Sequence, residues 1–150
     1  RGDIFSIRVL TEYLKDLRVL KVAIIGTNHY AKAFSFLACG FNVSYFNDNL
    51  EELMKFTQEV DLEDADINRM AEGMSIDLSE FDVLLDFSDF NNLDMITTLP
   101  LISFDMKNSK QLSALREKAK SLNSQYIGYD DMLDKLTAKA YAEINDFKIV

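Results

Sequence analysis

Two periods of apolar spacing alternate along this chain. Val22, Ala23, Ile24 and Ile25 make an unbroken apolar run of strand length, Gly26 ends it, and apolar residues recur at helical spacing from Tyr30. After Gly40, Val43, Tyr45 and Phe46 restore a strand pattern, so residues 21–49 predict strand, tight turn, helix and strand. Such a unit places its two strands parallel, joined by a right-handed crossover.

The rest of the chain extends that unit. Ile7, Leu10, Leu14 and Leu17 recur every three or four residues, which predicts an amphipathic helix over 3–17 with Asp3 at its N-cap. Leu50, Leu53, Met54 and Phe56 mark a second crossover helix over 50–60. Residues 82–88 and 101–106 read as buried strands, the second preceded by the only proline, Pro100. A helix over 110–122 follows, carried by Leu112, Leu115, Ala119 and Leu122, then a short strand over 125–128. Met132, Leu136, Ala140 and Ile144 line one face of a closing helix over 131–145, whose N-terminus Asp130 or Asp131 can serve. Residues 61–80 are acidic and weakly patterned, compatible with an edge strand, a short helix or a loop. This alternation predicts a doubly wound α/β fold, a mostly parallel sheet with helices on both faces.

Composition narrows the class. With 150 residues and 48% hydrophobic content the chain can bury a core of its own, roughly two-thirds of its unfolded surface, and a single domain is expected. A net charge of −9 repels a phosphate backbone, so nucleic-acid partners are not expected. No apolar run reaches the ~20 residues that span a bilayer and no secretory signal pattern is present, which predicts a cytoplasmic protein without a membrane partner. Opening on Arg1-Gly2-Asp3 without an initiator Met suggests a fragment of a longer protein. The single Cys39 is expected to pack on the apolar side of the first crossover helix. Asp61, Glu63, Asp64 and Asp66 lack the glycine and terminal glutamate of a calcium loop, and a solvated acidic face is expected instead of a metal site.

The turn after the first strand carries the candidate chemistry. Gly26-Thr27-Asn28-His29-Tyr30-Ala31 keeps the first glycine of a dinucleotide-binding turn, has Asn28 at the second and the permitted Ala31 at the third. Asn28 occupies space that phosphates would need, so affinity should suffer. Asp48 closes the second strand at the offset where an acidic residue accepts the ribose hydroxyls of NAD, and it would repel a 2′-phosphate. Asp48-Asn49 also reads as an ordinary polar turn, and His29 is either a phosphate donor or an incidental loop residue.

With these elements located, the chain resembles the nucleotide-binding half of the shikimate and quinate dehydrogenase family. That family carries an Asn-Thr-Asp element opening a helix, a Gly-rich turn, and Asn-Arg-Thr after the second strand; here those places read Arg1-Gly2-Asp3, Gly26 to Ala31, and Asn47-Asp48-Asn49. Its Asn-Ala-Thr-Pro strand end is similar to Asp86-Phe87-Ser88-Asp89, and its Asp-x-x-Tyr-Asn-Pro segment aligns on 105–110, with Asn108 at the tyrosine. The closing Gly-Leu-x-Met-Leu-x-x-Gln-Ala helix resembles the stretch from Gly128 through Met132-Leu133 to Leu136-Thr137, with Leu136 at the substrate-contacting glutamine. The resemblance implies a Rossmann fold and an NAD- or NADP-dependent oxidoreductase that reduces 3-dehydroshikimate. It implies cofactor contacts from Gly26, Thr27, Asn28, His29, Tyr30, Asn47, Asp48, Asn49, Ser88, Met106 and Gly128. It also implies a catalytic Asp3, paired with a lysine from an N-terminal domain that would hold the small-molecule substrate. The departures at Asn28, Asp48, Asn108 and Leu136 leave a non-catalytic structural or interaction domain as the alternative.

Overall fold

The computed structural model describes residues 2–62, 65–107 and 113–149, except the side chains of 2–6, 140 and 142–149. Six parallel strands form one sheet in the order β3-β2-β1-β5-β7-β8: β1 (Lys21–Ile25), β2 (Asn42–Asn47), β3 (Asp66–Arg69), β5 (Val83–Asp86), β7 (Ile102–Asp105) and β8 (Gln125–Ile127). Two short strands, β4 (Ile76–Asp77) and β6 (Ile96–Thr98), pair with each other in a separate ribbon. The helices are α1 (Gly2–Asp16), α2 (His29–Leu37), α3 (Leu50–Glu59), α4 (Ala114–Ser121) and α5 (Tyr129–Ile149). The order reverses at β1, whose neighbours are β2 and β5, and such a switch point opens a crevice beyond the carboxyl ends of the strands.

Apolar runs become central strands here because the sheet is covered on both faces. Successive residues point to opposite sides, so Val22, Ile24, Val83 and Leu85 join one core while Ala23, Ile25 and Leu84 join the other. The first core takes Leu10 and Leu14 of α1, Phe34 of α2, Leu53 and Phe56 of α3, and Met132 of α5. The second takes Leu115 of α4 together with Ile76, Leu78 and Ile96 from the ribbon and its approaches. Helices do lie on both faces, and the ribbon shares the second face with α4.

Several expectations are corrected. Cys39 is exposed, because α2 ends at Leu37 and leaves the cysteine in the following turn. Leu17 is exposed because α1 ends at Asp16 and leaves it in the following turn, and Leu50 and Met54 of α3 are exposed while Leu53 and Phe56 carry that helix's buried face. Asp3 sits inside the first turn of α1, which starts at Gly2, so it does not precede the helix as an N-cap residue. Asp130 and Asp131 do serve the N-terminus of α5 as expected, as carboxylates in its first turn. Helix α4 begins at Ala114, where the Ser113 hydroxyl accepts the N–H groups of Leu115 and Arg116; residues 108–112 lie outside the described residues. The acidic stretch supplies an edge strand: β3 pairs with β2, and Asp66 accepts the Ser44 hydroxyl at 2.5 Å. Glu63 and Asp64 lie outside the described residues. No helix among the described residues is long and apolar enough to cross a membrane.

Candidate functional site

The turn between β1 and α2 sits at the switch point. Gly26 has φ +104°, and a Cβ there would lie 2.9 Å from the Ser88 nitrogen and 3.0 Å from the Phe87 carbonyl carbon, so only glycine lets β1 turn beside the end of β5. Its own N–H donates to the Phe46 carbonyl. Thr27 is half-buried in the turn. Asn28 is the N-cap of α2: its Oδ1 accepts the Ala31 N–H at 2.9 Å, and its Nδ2 donates to the Phe87 carbonyl at 3.1 Å. The side chain at the second-glycine position therefore fastens the turn to β5 and occupies one of the helix N–H groups that a phosphate would use. His29 is exposed, and its ring lies 4.0 Å from that of Tyr30.

The end of β2 is built by two asparagines. Asn47 is buried and donates to the Asn49 carbonyl and to Glu52; Asn49 caps α3 by accepting the Glu52 N–H at 3.1 Å. Both are engaged in holding the start of α3. Asp48 between them is exposed.

A cleft of about 1000 Å³ opens beyond the ends of β5, β7 and β8. It brings together Asn28, Tyr30, Ser88, Met106 and Gly128 from the predicted residues, and it leaves out Gly26, Thr27, His29 and the three residues closing β2. The side chain of Asp3 lies outside the described residues. Ser88 is buried, and its hydroxyl is turned inward to Asp86 at 2.6 Å.

Sequence reasoning missed the polar cluster on this wall. Asp86 and Asp105 are register partners on β5 and β7, both buried, and Lys107 lies beside them. The Lys107 ammonium donates to Asp86 Oδ2 at 3.1 Å and stands 4.0 Å from Asp105 Oδ1. Asp86 Oδ1 accepts both the N–H and the hydroxyl of Ser88. Asp105 accepts the Lys107 N–H and, at 2.7 Å, the Tyr126 hydroxyl. Burial raises the Asp86 carboxyl above the usual range, against the pull of Lys107 and Ser88. Burial also raises the Tyr126 phenol, helped by Asp105, which accepts its proton in a hydrogen bond. The available signal was a carboxylate closing each of two apolar strand runs, VLLD and ISFD.

No protein-family model matches the sequence, and no curated protein matches it. Solved structures do match. Shikimate 5-dehydrogenase from Thermus thermophilus, in complex with NADP(H) and shikimate, superposes with a TM-score of 0.61 at 16% identity over 91% of this chain and 54% of its own. Quinate dehydrogenase from Corynebacterium glutamicum, in complex with NAD, gives 0.56 at 10% identity over 93% and 55%. The nucleotide-binding domain of glutamyl-tRNA reductase from Thermoplasma volcanium gives 0.61 at 10% identity over 92% and 95%. The chain thus has the Rossmann-type fold of these domains and spans about half the length of the two dehydrogenases.

Proposed function

We propose that this Rossmann-type domain binds a nicotinamide nucleotide, NAD in preference to NADP, as the nucleotide-binding half of an oxidoreductase-like protein. The observation that carries the reading is the cleft beyond the ends of β5, β7 and β8, to which Asn28 of the turn at the β1 switch point contributes alongside Met106 and Gly128. The residues fit such a ligand at the Gly26 turn, at the exposed Asp48 carboxylate and along the cleft; the Asn28 cap weakens the phosphate contact without closing the cleft. Asp48 would accept ribose hydroxyls and repel a 2′-phosphate, while Thr27, His29, Tyr30 and Ser88 border the turn. A bound nicotinamide would supply hydride transfer. In the finer reading, Asp3 in the first turn of α1 would hold a substrate proton with a lysine from a substrate domain, and the carbonyl substrate would be 3-dehydroshikimate.

Calorimetric titration with NAD and NADP tests the proposal. NAD should bind roughly tenfold more tightly than NADP, because like-charge juxtaposition is costly, and Asp48→Ala should remove the preference. Binding of neither nucleotide at millimolar concentration would overturn it and favour a non-catalytic module, in which Asn28 and Asn49 serve only as caps and Asn47 only braces the start of α3.

A further inference from the structure

Lys107 is the least expected residue on the cleft wall. Its ammonium has three N–H donors, and among the described residues its one hydrogen-bond partner is Asp86, since Asp105 Oδ1 at 4.0 Å lies beyond hydrogen-bond distance. The side chain keeps 17% exposure and lines the cleft, whereas Asp86 behind it keeps none. A buried ion pair is seldom required for stability, because an apolar pair of similar volume does as well or better. Among the described residues, this one leaves N–H donors of a cleft-lining ammonium without a partner while Asp86 balances its positive charge.

The other charges on the wall decide what those donors suit. Among the described residues, Asp89, Asp105, Asp130 and Asp131 line the cleft against a single further cation, Arg116. A second anion beside Lys107 would meet this surplus of carboxylates, but a neutral oxygen would accept a charge-assisted hydrogen bond without that repulsion. We infer that Lys107, neutralised by Asp86, is the specificity residue that reads a neutral carbonyl or carboxamide oxygen on the ligand and rejects a carboxylate in the same place. The inference rests on the nicotinamide-nucleotide reading and deepens it, since the ring carboxamide is then the group that Lys107 recognises.

The test compares NAD with its deamidated analogue, nicotinic acid adenine dinucleotide, by calorimetry at neutral pH and moderate salt. The two differ only in a carboxamide against a carboxylate. The unmodified protein should bind the analogue at least tenfold more weakly. Asp86→Asn leaves the ammonium unbalanced and should narrow that gap to within threefold or reverse it, a change that loss of packing alone would not cause. Lys107→Met should weaken NAD about tenfold while keeping the NAD-over-NADP preference set by Asp48. Equal or tighter binding of the analogue by the unmodified protein overturns the inference while leaving the nucleotide reading intact. An unchanged gap in folded Asp86→Asn does the same. Binding of neither dinucleotide overturns the reading itself and the inference with it.

Discussion

At the scale of single residues, the β1–α2 turn sets helix stability against phosphate affinity. Asn28 closes the first turn of α2 and tethers it to the Phe87 carbonyl, so the side chain that weakens a nucleotide contact also stabilises the fold. Replacing a capping asparagine by glycine loses only a few tenths of a kcal/mol at the cap, and the lost tether adds about 0.5–1 kcal/mol. Asn28→Gly should therefore lower stability by about 1 kcal/mol in urea unfolding and strengthen NAD binding several-fold, because the Ala31 N–H is released. Unchanged affinity in that variant would mean that Asn28 does not obstruct the phosphate. The identity of this residue was legible from the sequence as a departure from a glycine pattern. Its two hydrogen bonds were not, because one of them reaches a strand 59 residues away.

At the scale of elements, ends and edges were the parts hardest to read. The central strands declare themselves by continuous apolar runs, whereas β3 reads DINR and β4 has two residues, too polar or too short to carry a period. Pairing holds them in place: β3 lies against β2, and β4 against β6 with help from a carboxylate. Asp77 is pulled down to about 2 by hydrogen bonds from Ser79 and then from the Thr98 hydroxyl, from an ordinary value of 3.8. A carboxyl with a depressed folded-state pKa contributes stability above its unfolded value and loses it as pH falls. Unfolding midpoints should thus drop between about pH 4 and pH 2, and part of that drop should vanish in Asp77→Asn. The difference between the two pH profiles isolates this group from Asp82, which is also lowered, by the N–H groups of Lys21 and Leu20.

At the scale of the whole molecule, one sheet carries two cores, and stability depends on residues that join strand to helix. Phe104 of β7 is fully buried and meets the ring of Tyr13 on α1 edge to face at 6.5 Å. Phe104→Ala should cost about 3–5 kcal/mol in urea unfolding, a large share of the ~5–15 kcal/mol that holds a domain of this size. A loss below about 1 kcal/mol would show that the strand–helix packing on this face does not hold the fold together. The sequence by itself determined the alternation of strands and helices, the parallel sheet, the glycine turn after β1 and the burial of its central strands. All of these follow from periodicity and local backbone sterics within a few residues. Only the tertiary structure decided that β5 lies between β1 and β7, that Asp86 stands opposite Asp105, and that Lys107 closes the pair on the cleft wall. The physical reason is that apolar spacing records which face of a strand is buried but carries no record of which strand becomes its neighbour. A buried charge pair exists only once those neighbours are chosen.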